Sequence, residues 1–390
     1  MTYTDKMVDW MNRYPAVADL RKRAHRRMPL VAREYMETGT DEDEALRRNR
    51  EALQAIRFHP EFLKGSMRPR LETSLLDRTY AFPFGIAPVG LTGLMWPKAE
   101  VYFAQAARKY QIPFCLSTLA TETPESLAPH LGEQGWFQLY TPREEEMAFQ
   151  LLDRAKQSGF HTLVITVDIP MPSRRQRTKR AGLRIPPRLS LELLWQGMTH
   201  PIWSMATLRR GLPRLRTIED IPGFNEMMSV GAFMSEQMGG NLSWEYVERL
   251  KAYWKGPCLL KGIMAPADVE EALKRGCDGI ILSNHGARQF DGALSPLEVL
   301  PAARTLTEGK VPLLMDSGLR SGLDILRALA LGADFVLLGR AFLYGVAALG
   351  KWGPEHVIRI LSEEMVNNMM QLGIEDLKQL PDRLADAVER

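Results

Sequence analysis

Cysteine is almost missing from these 390 residues. Cys115, Cys258 and Cys277 are scattered and odd in number, which excludes a disulfide framework and a cysteine metal cluster. No uninterrupted apolar run reaches the 18 or more residues of a membrane span. The first 17 residues have no apolar signal core and carry Asp5, Lys6, Asp9 and Arg13, so the chain reads as cytosolic or cytosol-facing. Net charge is only +3, and the total points to no nucleic-acid partner. A Gly-x-Gly-x-x-Gly run after the first strand is also missing, which leaves a doubly wound dinucleotide fold without support. Hydrophobic residues at 45% and charged residues at 25% are the usage of a folded soluble protein, not of a disordered or collagen-like one.

The small net charge hides a local excess. Arg174–Arg216 holds eleven Lys/Arg against one acid, Glu192, a net of +10. The same stretch carries Leu189, Leu191, Leu193, Leu194, Trp195, Ile202, Trp203, Met205 and Leu208. Leu191, Leu194 and Trp195 recur at i, i+3, i+4, so the pattern predicts a helix with one apolar face flanked by arginines, lying in an anionic membrane interface. The competing reading is a loop packed on its own domain or on a neighbouring subunit.

Eight short apolar runs follow one another from residue 84: Phe84–Pro88, Phe114–Leu116, Trp136–Leu139, Thr162–Val167, Cys258–Lys261, Gly279–Ser283, Pro312–Asp316 and Phe335–Gly339. Their continuous apolar character predicts strands buried on both faces. Amphipathic stretches lie between them (Lys98–Tyr110, Arg143–Gly159, Ser243–Tyr253, Pro266–Gly276, Ser321–Gly332). The alternation predicts an α/β fold, a (β/α)₈ TIM barrel. The fourth and fifth strands start 96 residues apart, whereas a βα unit needs about 30, so roughly 60 residues are inserted. We therefore expect one domain over 1–390: a helical cap at 1–83 (with helices at Val31–Thr38 and Asp41–Ile56), a barrel at 84–353 with an insertion at about 174–242, and a polar helical tail at 354–390.

Catalytic groups of such barrels sit at the C-terminal strand ends. Those ends carry Val89-Gly90, Ser117, Gln138-Leu139-Tyr140, Thr166-Val167-Asp168, Lys261-Gly262, Ser283-Asn284-His285-Gly286, Asp316-Ser317-Gly318 and Gly339-Arg340. His285 is the candidate base, with Asp168 to hold its tautomer. Lys261 has two readings, a Schiff-base nucleophile or a fixed cation beside an anion. Asp316-Ser317-Gly318-Leu319-Arg320 and Gly339-Arg340 end the last two strands, where barrels commonly bind phosphate.

Ser283-Asn284-His285-Gly286-Ala287-Arg288-Gln289 resembles the motif of the FMN-dependent L-2-hydroxy acid dehydrogenases and oxidases. So do Phe137-Gln138-Leu139-Tyr140, Leu260-Lys261-Gly262 and Ala328–Ala333, and the likeness runs from Tyr35 to Arg340. Trp96-Pro97-Lys98, Pro186–Ser190 and His200-Pro201 are similar to the (S)-mandelate and L-lactate dehydrogenase branch. The resemblance implies that His285 takes the substrate proton beside Asp168. It implies that Arg175 and Arg288 clamp the carboxylate and that Tyr35 and Tyr140 offer hydroxyls. FMN is then expected on Val89, Gly90, Ser117, Gln138, Thr166, Lys261 and Ser283, with Asp316, Ser317, Gly318, Leu319, Arg320, Gly339 and Arg340 around its ribityl chain and phosphate. On this resemblance Lys261 faces the flavin ring as a cation. Leu119 stands where glycolate oxidase has Trp, and Gln176 and Val89 depart from the usual Glu and Thr.

The implied function is oxidation of an L-2-hydroxy acid, mandelate- or lactate-like, with electrons passed to a quinone-type acceptor. The alternative is a soluble oxidase that uses O₂ and makes H₂O₂. Two readings from other classes compete: a phosphate-binding barrel lyase or isomerase with Lys261 as nucleophile, and a non-enzymatic anion- or nucleic-acid-binding protein built on the +10 segment. No metal and no nucleic acid are expected. A peripheral position on the cytoplasmic membrane face and a homotetramer are.

Overall fold

The computed structural model describes residues 9–183, 191–219 and 242–385. Part of the expected insertion, including Arg184, Arg188, Leu189 and the Pro186–Ser190 stretch, lies outside the described residues.

Eight parallel strands close into a barrel: β3 (Phe84–Ile86), β4 (Phe114–Ser117), β5 (Gly135–Tyr140), β6 (Thr162–Thr166), β7 (Cys258–Ile263), β8 (Gly279–Leu282), β9 (Leu313–Met315) and β10 (Phe335–Leu338). The order β10-β3-β4-β5-β6-β7-β8-β9 is the (β/α)₈ topology, and closure excludes the doubly wound alternative. Strand side chains alternate in direction. Leu163 and Ile165 of β6 therefore pack outward on the helices, while Val164 points inward with Cys115, Trp136, Leu259, Ile281, Leu314 and Leu337. A hairpin that the sequence did not reveal, β1 (Thr73–Leu75) with β2 (Arg78–Tyr80), plugs this inner core. Its Tyr80 hydroxyl accepts from Trp136 Nε1 at 3.2 Å.

The cap forms α1 (Val17–Arg27), α2 (Leu30–Glu37) and α3 (Glu44–Ala55). The outer ring comprises α4 (Ala99–Tyr110), α5 (Pro124–Leu131) and α6 (Glu145–Gln157). After β6 come the insertion helices α7 (Gln176–Arg180), α8 (Leu191–Thr199) and α9 (Pro201–Arg210), and then α10 (Trp244–Trp254), α11 (Pro266–Lys274), α12 (Pro296–Thr307) and α13 (Gly322–Ala330). A short α14 (Arg340–Leu349) precedes α15 (Gly353–Leu372). The tail was expected to be polar, yet α15 buries Val357, Ile358, Ile360, Leu361, Met365 and Met369. It is the eighth helix of the ring, displaced along the chain by α14.

Leu191, Leu194, Trp195, Met198, Ile202, Met205, Leu208 and Leu212 are exposed on α8, α9 and the segment after them. Trp203 departs from the expected membrane face: it is buried, and its Nε1 donates to the Leu94 carbonyl at 2.9 Å. Several basic residues of the +10 segment are paired within the molecule, Arg177 with Glu34 and Asp43, and Arg210 with Glu122. Among the described residues no helix is long and apolar enough to cross a membrane.

Candidate active site

Register brings the polar strand ends level. Ser117 pairs with Gln138, Tyr140 with Thr166, and Thr166 with Lys261. The alternation that sends Trp136, Val164 and Leu259 into the core sends Gln138, Thr166 and Lys261, two residues on, into the barrel mouth. Ser117 Oγ donates to Gln138 Oε1 at 2.9 Å, whereas Gln138 Nε2 and Thr166 Oγ1 are buried without a protein partner. Lys261 Nζ donates to Ser283 Oγ at 2.8 Å and pairs with Asp316 at 3.1 Å. Burial opposes its charge, but Asp316 and Asp168 outweigh burial and hold its pKa above the ordinary value. A Schiff-base lysine must be neutral to attack, and the carboxylates beside Lys261 favour its charged form instead.

His285 follows β8 in a left-handed run: φ is 58° at His285, 64° at Gly286 and 65° at Ala287. Three side-chain oxygens hold that run. Ser283 Oγ accepts from His285 N, Ser317 Oγ from Gly286 N, and Asn284 Oδ1 from Ala287 N, each at 3.0 Å. The ring is thereby turned so that Nδ1 lies 3.0 Å from Asp168 Oδ1 and Nε2 lies 3.3 Å from the Tyr140 hydroxyl. A carboxylate only accepts, so Nδ1 carries the proton and Nε2 keeps the lone pair. Burial, aided by Lys261 and Arg175, lowers the His285 pKa below its ordinary 6.5 even though Asp168 pulls it up. The imidazole is then neutral at pH 7, with its basic nitrogen beside Tyr140. Asp168 is buried too, but His285 keeps its carboxylate ionised, below the usual range. Gly262, at φ 107°, leaves it room: a Cβ there would lie 2.5 Å from Asp168 Cβ.

Cations crowd the same cavity. Arg288 Nη2 donates to the Tyr35 and Met36 carbonyls at 3.0 Å each, and its guanidinium lies over the Tyr35 ring. The Tyr35 hydroxyl donates to the Gly90 carbonyl at 3.0 Å. Arg175 precedes α7 with φ 38°. Burial, and next Arg175, push the Arg288 pKa down to about 10; burial, Arg288 and Arg320 push Arg340 down to about 9. Positive charge concentrated beyond its local counter-charge is the signature of an anion site. Arg340 also donates to the carbonyls of Met36, Thr38 and Gly286 at 2.8–3.0 Å, so it ties α2 to the histidine loop.

A cavity of about 650 Å³ joins these groups, within the range of cofactor and substrate pockets. Tyr35, Val89, Gly90, Tyr140, Arg175, Lys261, His285 and Arg288 line it, together with Asp316–Arg320, Gly339 and Arg340. Asp168, Ser117, Gln138, Thr166 and Ser283 are not among the lining residues: Asp168 bonds His285, Ser283 bonds Lys261, Thr166 pairs with Lys261 in register, and Ser117 bonds Gln138. Ile169, Leu183 and Leu215 add apolar lining along with Leu119; they lie in the non-helical stretches between β6 and α10, where periodicity gives no signal. Two orphaned buried polar atoms, a buried ammonium and a cation-rich end fit a flavin mononucleotide, which has a polar ring edge at one extremity and a phosphate at the other.

The family model of FMN-dependent dehydrogenases matches residues 24–387. The chain is 38% identical over 370 residues to an L-lactate dehydrogenase of Pseudomonas paraeruginosa, covering 94% of this chain and 96% of the relative. To an (S)-mandelate dehydrogenase of Pseudomonas putida it is 38% identical over 369 residues, covering 94% and 93%. A crystal structure of (S)-mandelate dehydrogenase, described as a monotopic membrane protein, superposes with a TM-score of 0.89 at 37% identity, covering 95% of this chain and 99% of that one. Fold, site and sequence agree: the chain belongs to the family of FMN-dependent dehydrogenases.

Proposed function

We propose that this FMN-dependent 2-hydroxy acid dehydrogenase oxidises an (S)-2-hydroxy acid, mandelate- or lactate-like, to the 2-oxo acid and passes the electrons to a quinone-type acceptor. The observation that carries the reading is His285, held by Asp168 at Nδ1 and facing the Tyr140 hydroxyl at Nε2, with His285, Tyr140, Arg175 and Arg288 lining one cavity. Arg175 and Arg288 hold the substrate carboxylate, a task suited to the planar guanidinium fork. Tyr140 and Tyr35 orient the hydroxyl and carboxylate ends. His285 Nε2 accepts a substrate proton, and Asp168 supports the imidazolium that forms. Oxidation of R–CH(OH)–COO⁻ to R–CO–COO⁻ releases two protons and two electrons; bound FMN supplies the two-electron sink.

Val89 and Gly90 hold that cofactor through backbone, and Ser117, Gln138, Thr166 and Ser283 through side chains. Lys261 places a positive charge against the ring, and Asp316 holds the ribityl chain. Ser317, Gly318, Leu319, Arg320, Gly339 and Arg340 surround the phosphate. The exposed apolar row on α8 and α9, with arginines beside it, is the proposed seat on an anionic membrane surface, where a lipid-soluble quinone is available. A homotetramer is part of the proposal, to be measured by light scattering. Steady-state turnover of a panel of 2-hydroxy acids, with O₂ and with a quinone analogue as alternative acceptors, tests the whole reading. Turnover with the quinone analogue well above that with O₂ supports it; the reverse, with stoichiometric H₂O₂, makes the protein an oxidase.

A further inference from the structure

The histidine loop is anchored from an unexpected quarter. Asn49 lies on α3 of the cap, fully buried, 235 residues from Asn284 along the chain. The two side-chain amides form a closed pair: Asn49 Nδ2 donates to Asn284 Oδ1 at 3.0 Å, and Asn284 Nδ2 donates to Asn49 Oδ1 at 2.8 Å. Backbone groups fix which way Asn284 points. Its Oδ1 also accepts from Ala287 N at 3.0 Å, and its Nδ2 also donates to the Leu294 carbonyl at 3.1 Å. Asn284 thus cannot flip without breaking both, and Asn49 must supply one donor and one acceptor in that order. The same loop grips the start of α3 again through Asp291, whose carboxylate accepts from Glu42 N and Ala45 N at 3.0 and 2.8 Å.

We propose that Asn49 is a positioning residue for the base: through the Asn49–Asn284 amide pair, the cap helix holds the left-handed His285–Ala287 run, and with it the direction of Nε2. A left-handed run at a non-glycine residue persists only where its surroundings over-determine it, and here one of the three oxygens that hold it is itself held by Asn49. The proposal rests on the assignment of His285 as base, but the coupling can be read without any substrate.

Asn49→Leu keeps the shape and removes both polar groups. Asn49→Asp keeps the size and sets an acceptor against Asn284 Oδ1, and serves if the first variant does not fold. In FMN-loaded protein, hydrogen–deuterium exchange of the 284–288 segment should rise by about tenfold or more over wild type, with exchange in β4–β6 unchanged. Flavin reduction by the best 2-hydroxy acid should slow by about 10–100-fold, the scale of a small misplacement of a reacting group. The dissociation constant of the matching 2-oxo acid, read from flavin absorbance, should move less than threefold, because Arg288 is oriented by α2. Combined with Asn284→Leu, the Asn49→Leu change should add nothing to the loss caused by Asn284→Leu alone. Unchanged exchange of 284–288, equal losses of reduction and ligand binding, or multiplying losses in the double variant would each overturn the proposal. Failure of wild-type protein to reduce its flavin with any 2-hydroxy acid would instead sink the functional reading, and the exchange result would still decide the Asn49 coupling.

Discussion

His285 sits between a carboxylate and a hydroxyl, and that arrangement dictates how activity depends on pH. Only the neutral imidazole can take a proton, and burial lowers its pKa below 6.5. Activity should therefore be on its plateau at pH 7 and fall as pH drops through that lowered value. An acid limb above pH 6.5 in the kcat/KM profile would contradict this. Asp168 raises the His285 pKa, so Asp168→Asn should move the acid limb further down. It should also cut the plateau by about 10²–10⁴-fold, since an amide can donate to Nδ1 and favour the wrong tautomer. On the cation side, Arg288→Lys should raise KM for every 2-hydroxy acid, because a point charge does not replace a planar fork. A carboxylate ester should be a poor substrate for wild type and indifferent to the change. Equal losses for acid and ester would remove Arg288 from the clamp. The residues at the strand ends were legible in the sequence because alternation and chain order alone put them at one end of a barrel. The left-handed backbone of His285, the carbonyls held by Arg340, and the Asn49 amide pair were not, since each depends on contacts between segments far apart in the chain.

At the level of elements, all eight barrel strands could be read from continuous apolar runs, because a strand buried on both faces has no other pattern to show. Two of the helices that escaped share a physical reason. α5 and α12 each start on proline and contain a second one (Pro129, Pro301), which reads as a break unless the first-turn tolerance of proline is weighed together with the capping boxes at Thr123 and Ser295. The β1–β2 hairpin is only three residues per strand, too short for a period. Of the insertion helices, α8 was legible as amphipathic from Leu191, Leu194 and Trp195, whereas α9 was not read as a separate helix. Trp203 and Gln196 turn inward, Gln196 Oε1 accepting from Val31 N at 3.0 Å, and leave the leucine and methionine row outside. The intact protein should therefore co-sediment with anionic vesicles at low salt. Replacing the exposed Leu191, Leu194, Trp195, Ile202, Met205 and Leu208 together by glutamine, with Gln196, Trp203 and Leu215 kept, should abolish co-sedimentation while leaving oxidation of substrate by an artificial acceptor within about tenfold. Indifference of the intact protein to vesicles would dismiss the membrane seat.

Across the whole molecule, three pieces distant in sequence converge on one cavity. The cap contributes Tyr35 of α2, the barrel contributes its strand ends, and the segment after α9 contributes Leu215. We propose that cap, barrel and tail form one folding unit, since α1 packs on α14 and α15 closes the ring. The direct test of the account is anaerobic mixing of the purified, FMN-loaded protein with (S)-mandelate and (S)-lactate, following loss of the oxidised flavin absorbance in wild type and in His285→Ala. Wild type should be bleached by at least one of them, with one 2-oxo acid formed per flavin. His285→Ala should keep its FMN and bleach at least about 10²-fold more slowly. Equal bleaching of the two proteins, or none in wild type with either acid or any other 2-hydroxy acid, would contradict it.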